Sequence, residues 1–153
     1  MNLDYEILKT ELLQALDDHK IWVLASSDGK RVSARSMSII HNDLDIYFQT
    51  SRKFDKYAQL VHNPHVALCW SNISIEGLAY DLGPWEENLD MRGIYIQHHR
   101  GSYEAYGTLP EQVVVKVVPN YVVFWKYIEG QPVRDFLYIS EKRATREFYL
   151  KQP

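Results

Sequence analysis

The residues best suited to chemistry in this chain are hydrogen-bond donors to an anion: Arg35, Ser36, Thr50, Ser51 and Lys56. A phosphate monoester dianion needs charge-assisted donors arriving from several directions, and guanidinium, hydroxyl, ammonium and a helix N-terminus all supply them. The local pattern puts Arg35 on one strand, Thr50 and Ser51 at the end of the next, and Lys56 one turn into a helix. All of them can then converge on one point. The spacing itself is not specific, and a strand end followed by a capped helix is the commoner use of such a cluster.

Charge distribution agrees with a local anion site while excluding a general one. The chain has a net charge of -3, which gives no reason to expect nucleic acid or an anionic membrane as partner. From Lys20 to His62, however, Lys20, Lys30, Arg31, Arg35, Arg52, Lys53 and Lys56 outweigh Asp28, Asp43, Asp45 and Asp55. Either a solvated basic face or a pocket for a small phosphorylated ligand follows from that imbalance.

The elements that must position these residues follow from periodicity. Leu3, Ile7, Leu8, Leu12 and Leu16 recur at helical spacing, with Asp4 and Glu6 in the first turn. Ile21 to Ala25 is a short β-prone run, and the Asp28-Gly29 pair suits a tight hairpin into a return strand from Arg31 to Ile40. A turn at His41-Asn42-Asp43 leads into Leu44 to Gln49, where Leu44, Ile46 and Phe48 face one way. Lys53 to His62 then reads as a short helix stopped by Asn63-Pro64.

Further along, His65 to Trp70 and Ile73 to Tyr80 read as strands, and Pro84 suits the first turn of a helix holding Trp85, Leu89 and Ile94. Val113 to Val118 and Tyr121 to Trp125 are β-prone runs broken at Pro119-Asn120, and Phe136 to Ile139 is a last strand. About seven sequential antiparallel strands with a few helices predict a mainly β fold, a β-barrel with helical additions, in a single domain over residues 1–153.

On these residues the chain resembles a known family. Asp43-Leu44-Asp45-Ile46-Tyr47-Phe48-Gln49-Thr50, Lys56-Tyr57-Ala58-Gln59-Leu60 and Asn63-Pro64-His65-Val66-Ala67-Leu68, with Ile75-Glu76-Gly77 after them, resemble the pyridoxamine 5′-phosphate oxidase-like FMN-binding split-barrel family. The likeness is strongest from Ile21 to Gly77 and is closest to the short, general-stress-protein-like members.

The resemblance implies an antiparallel split β-barrel, FMN as cofactor, and a homodimer with a flavin at each interface. It places Arg35, Ser36, Met37 and Ser38 along the flavin, with Arg35 on the phosphate. Gln49, Thr50 and Ser51 would reach the phosphate and ribityl chain, Lys56 would be a second phosphate cation, and Asn72 takes the place of a glutamine that contacts the ring. Asp55 stands where an arginine often precedes the lysine, and Ile40 where the vitamin enzymes have a lysine. The chain also ends soon after Phe148-Tyr149-Leu150 with no arginine-rich segment, so vitamin B6 oxidation is not expected. Trp125, Tyr127 and the stretch from Asp81 to Gly107 are candidates for contact with a partner chain's flavin.

The implied function is that of an FMN-dependent oxidoreductase exchanging electrons with a nicotinamide donor or small organic substrate. The alternatives are a flavin-holding or sensing dimer without turnover, and a relative that holds haem or a deazaflavin. Flavin carries its own redox chemistry, so no protein nucleophile is required. In keeping with that, the chain has no Gly-x-Ser-x-Gly, Walker loop, His-Glu-x-x-His or cysteine pair.

Cys69 in Val66 to Trp70 reads as a buried, inert thiol, and one cysteine with no basic-then-apolar leader fits a cytoplasmic protein. His62/His65 and His98/His99 do not share a helical face, so no metal site is expected and these histidines should face solvent. Trp70, Trp85 and Trp125 are either core residues or neighbours of the ring.

Overall fold

The computed structural model describes residues 1–149. After a two-residue strand β1 (Asn2–Leu3), helix α1 (Tyr5–Asp18) begins where Asp4 accepts a hydrogen bond from the Ile7 amide, an N-cap that satisfies one free donor of the first turn. Leu8, Leu12 and Leu16 are its buried stripe, while Ile7 lies exposed and Leu3 belongs to β1. Strands β2 (Ile21–Ser27) and β3 (Val32–Ser38) form the expected hairpin. In its turn Asp28 accepts from the amides of Lys30 and Arg31, and Gly29 takes a φ of 97° that suits glycine.

The return strand stops earlier than its sequence suggests. A break at Ile39 separates β3 from β4 (Ile40–Asn42), which turns at Asp43 into β5 (Asp45–Ser51). Helix α2 (Asp55–His62) follows, then β6 (His65–Trp70) and β7 (Ile73–Asp81). Next come a 3₁₀ turn at Trp85–Glu87, helix α3 (Leu89–His98), a short helical turn at Arg100–Ser102 and a π turn at Tyr103–Gly107. The chain then runs through β8 (Gln112–Ile128), β9 (Gln131–Tyr138) and β10 (Arg143–Phe148).

All pairings are antiparallel, and the sheet order is β1-β10-β9-β8-β7-β6-β2-β3, with β5 pairing both β8 and β4. The mainly antiparallel barrel with helical additions is therefore present. Because β8 pairs with β5, β7 and β9, the sheet curls back on itself, yet β3 and β5 are not hydrogen-bonded to each other. That gap is the split in the barrel, and it leaves one edge of β3 unpaired.

Two further expected features differ. Pro119 does not break the strand: β8 runs for 17 residues, and between the pairs Gly77–Pro119 and Glu76–Tyr121 the register shifts, leaving Asn120 of β8 without a β7 partner. A bulge there removes the need for the ladder donor that proline lacks. A Cβ on Gly77 would lie 2.6 Å from the Val118 carbonyl oxygen, so the close approach requires glycine. Cys69 is exposed, because the alternation of β6 turns Val66 and Leu68 inward and Cys69 outward.

Two apolar clusters result. The barrel interior joins Leu12 and Leu16 of α1 with Trp22, Leu24, Phe48, Leu68, Ile75, Val122, Phe124 and Leu137. A second cluster of Ile40, Tyr47, Trp85, Tyr95 and Val114 lies under the 85–107 segment. Strand β5 is covered on both faces as a result, Ile46 and Phe48 against the barrel and Tyr47 and Gln49 against the inserted helices. No helix of the described residues is long and apolar enough to cross a membrane.

Candidate active site

A cavity of about 300 Å³ opens at the split between β3 and β5. That is the lower end of the range for small-molecule sites. Of the residues singled out in the sequence, Ser36, Met37, Ser38, Gln49, Thr50 and Lys56 line it. Phe54, Tyr95, Ser102, Tyr106 and Gln112 complete the wall.

The polar end of the cavity has the character of an anion seat. Thr50 is buried and its Oγ1 has no hydrogen-bond partner, an uncommon state for a buried hydroxyl. Lys56, the second residue of α2, is half-buried and forms no ion pair among the described residues; its ammonium lies 4.7 Å from the centroid of the Phe54 ring. Burial lowers its pKa, and the nearby Arg35 guanidinium lowers it further. A cation held in that condition lacks a counter-charge.

Arg35 stands beside this seat and does not line the cavity. Its guanidinium donates to Ser26 Oγ at 2.8 Å, to the Leu24 carbonyl at 3.3 Å and to Ser33 Oγ. Ser26 and Ser33 in turn donate to Gln59 Oε1 of α2 at 2.6 and 2.8 Å. These acceptors are all neutral, so they fix the guanidinium against α2 without cancelling its charge. Burial depresses the Arg35 pKa, and Arg31 adds to that.

Asp55, which replaces a basic residue of the family pattern, points away. Its carboxylate pairs with Arg31 at 3.2 Å, and both side chains are exposed. Ser51 Oγ accepts from the Lys53 amide at 3.2 Å and shapes the turn into α2. Ile40 is packed in the second cluster, so no cation enters the wall at that position.

Asn72 lies elsewhere. It lines a separate groove with Ile7, Thr10 and Glu11 of α1, and its side-chain amide donates to the Trp125 carbonyl at 2.7 Å.

The 85–107 segment supplies the other wall from within the same chain. Trp85 Nε1 donates to Gln49 Oε1 at 3.0 Å, and Gln49 Nε2 donates to the Ser102 carbonyl at 3.1 Å and to Ser102 Oγ at 3.0 Å. His99 Nε2 is 2.7 Å from the Ile39 carbonyl, tying α3 to the β3–β4 break. Trp85 is therefore a core residue, whereas Trp70 stacks on His19 at 3.4 Å and Trp125 is exposed. Among the histidines, His62, His65 and His98 face solvent, and His19, His41 and His99 are engaged. The described residues contain no group of three or more His, Cys, Asp or Glu side chains placed to hold a metal ion.

Sequence reasoning did not single out Phe54 or Gln112, and it assigned the stretch that holds Tyr95, Ser102 and Tyr106 to a partner chain's flavin and not to this chain's own cavity. The local signal for the last three was the aromatic density of the 85–107 segment.

No family model matches the chain. General stress protein 26 of Bacillus subtilis (strain 168) is 31% identical over 64 residues, 42% of this chain. The chain spans 46% of that relative, less than half its length. Among solved structures, a candidate pyridoxamine 5′-phosphate oxidase from Listeria innocua is 25% identical with a TM-score of 0.61, covering 75% of this chain and 95% of its own. General stress protein 26 from Bacillus anthracis str. Sterne has a TM-score of 0.66 at 20% identity, covering 86% of this chain and 98% of its own. A pyridoxamine 5′-phosphate oxidase-related, FMN-binding protein from Nostoc punctiforme PCC 73102 covers 97% of this chain and 98% of its own, with a TM-score of 0.61 and 13% identity. With β3 and β5 parted at the cavity and this set of neighbours, the chain has the split-barrel fold of the pyridoxamine 5′-phosphate oxidase-like proteins.

Proposed function

We propose that the protein binds FMN in the cavity at the barrel split, with the phosphate at Thr50 and Lys56, and acts as an FMN-dependent oxidoreductase. The observation that carries this reading is the buried, unpartnered Thr50 hydroxyl beside an uncompensated Lys56 ammonium. Both need an acceptor, and a phosphate dianion supplies several. Arg35, fixed by Ser26 and Ser33, adds positive potential next to them. The unpaired edge of β3 along Ser36, Met37 and Ser38 offers backbone groups to the ring, as expected from the resemblance.

Bound flavin supplies the electron transfer. The chain's own residues bind and orient it, and the 85–107 wall limits water on one side. The electron donor in this reading is a nicotinamide nucleotide or a small organic molecule.

The reading includes a homodimer, supported by an outward sheet face of small and apolar residues without charge. The outward residues Ser36, Val23, Cys69, Ser74 and Val123 lie opposite one another across β3, β2, β6, β7 and β8. Exposed Ile21 and Trp125 extend the same face. It also includes a cytoplasmic location, where the exposed single cysteine stays reduced.

The test is the visible spectrum of purified protein after addition of FMN, followed by anaerobic mixing with NADH or NADPH. A bound two-band flavin spectrum that bleaches with turnover is the expected result. Bound flavin that never bleaches with any donor would reduce the protein to a flavin carrier. A Soret band with no flavin bands would overturn the reading.

A further inference from the structure

The polar network between the barrel and the insertion has a fixed direction. An indole N–H only donates, so the Trp85 bond assigns oxygen to the Gln49 atom that faces it and NH₂ to the atom that faces Ser102. Ser102 Oγ therefore accepts from Gln49. It also lies 3.0 Å from the Tyr95 hydroxyl, a contact in which either oxygen can donate.

Counting protons across this pair gives a surplus. Two hydroxyls hold two protons, and the bond between them uses one. If Tyr95 donates, the Ser102 proton is free; if Ser102 donates, the Tyr95 proton is free. Burial raises the Tyr95 pKa, so the phenol keeps its proton at neutral pH. Both residues line the cavity, and neither hydroxyl has another acceptor among the described residues.

We infer that Ser102 and Tyr95 together form a hydrogen-bond donor to an acceptor atom, a carbonyl oxygen or ring nitrogen, on the cavity's occupant. The inference rests on the flavin reading above, in which that occupant is FMN and the acceptor belongs to its ring. Trp85 is a positioning residue: it orients the Gln49 amide, whose NH₂ then occupies Ser102 Oγ as a donor and leaves the protons of the pair for another acceptor.

The shared proton gives the test a distinctive form. Removing either hydroxyl alone leaves the other with a proton to offer, so Ser102→Ala and Tyr95→Phe should each weaken FMN binding by no more than about threefold. The double variant has no donor and should lose about tenfold or more, the scale of one hydrogen bond. Its flavin midpoint potential should also move to a more negative value, because a donor to the ring stabilises the electron-rich reduced form.

Affinity is read by quenching of FMN fluorescence, potential by equilibration with a dye, and folding by circular dichroism of each variant. A double variant with wild-type affinity and potential overturns the inference while leaving the FMN reading intact. Single losses that multiply to the double loss also overturn it, since independent contacts would behave that way. Failure of the wild-type protein to bind FMN overturns both.

Discussion

Lys56 in the cavity wall lies close enough to the Arg35 guanidinium beside it for the second cation to lower its pKa, and the nearest acid in sequence, Asp55, pairs with Arg31. Lys56→Ala is expected to raise the dissociation constant for FMN by about one to two orders of magnitude, the cost of one charge-assisted hydrogen bond of about 1.5–3 kcal/mol. Adding Arg35→Ala should weaken binding further. Isothermal titration of both variants measures this, and unchanged affinity in the double variant would place the phosphate elsewhere.

The depressed Lys56 pKa has opposite consequences for binding and for stability. FMN binding requires the ammonium, so affinity should fall as pH rises through the Lys56 pKa, below the ordinary lysine value. Lys56→Arg should carry tight binding to higher pH. For the ligand-free protein, the unfolded chain holds this proton more tightly than the folded one, so this group's contribution makes stability rise with pH between the folded and ordinary pKa values. Lys56→Met should therefore raise the thermal midpoint of the ligand-free protein at neutral pH while weakening FMN binding, read by calorimetry with and without FMN.

Away from the cavity, Asp135 is fully buried between Arg146 at 2.6 Å and Lys126 at 2.9 Å. Burial raises the carboxyl pKa, but the hydrogen bonds from Arg146 and Lys126 outweigh it, and the net shift is downward. The contribution to stability is thus complete above the unfolded-state pKa and disappears as pH falls through the folded one. Asp135→Asn should cost about 3–5 kcal/mol by urea denaturation at neutral pH, since it deprives Arg146 of its carboxylate and leaves Lys126 with Glu11 alone. The difference from wild type should shrink in acid.

Gly77→Ala should destabilise by about 1–3 kcal/mol, because the added methyl meets backbone at Val118 and the bulge must shift to admit it. The urea midpoint reads that loss. The same substitution at Gly29 meets no atoms within 4 Å and is strained only by its φ of 97°.

Val23→Glu places a charge at the centre of the outward sheet face, where Val23 is already 40% exposed. In the proposed dimer this variant should sediment as a monomer, and its Cys69 should react faster with a thiol reagent than in wild type. A wild-type protein that sediments as a monomer would remove the dimer from the functional reading.

Local chemistry explains what was legible in the sequence. Asp4, the leucine stripe of α1, the Asp28-Gly29 turn and the Asn63-Pro64 stop each act within a few residues, and each is in place. Six of the nine proposed ligand contacts line one cavity because the strands and helix that bear them are adjacent in sequence. The Trp85 and Ser102 contacts to Gln49 span 36 and 53 residues, beyond any periodic pattern. Pro119 and Cys69 misled for a related reason: a bulge at Asn120, next to the proline, excuses one, and sheet alternation turns the other outward.

Strand β8 begins at Gln112 in the cavity wall and passes Trp125 on the far face without a loop between them. It is hydrogen-bonded along its length to β5, β7 and β9. The molecule has, in effect, one structural spar that links the cavity wall to the sheet around Trp125, interrupted only by the bulge at Asn120. Asn72, which donates to the Trp125 carbonyl, is thereby joined through a single strand to the residue that begins the cavity wall, although it lies in a different groove.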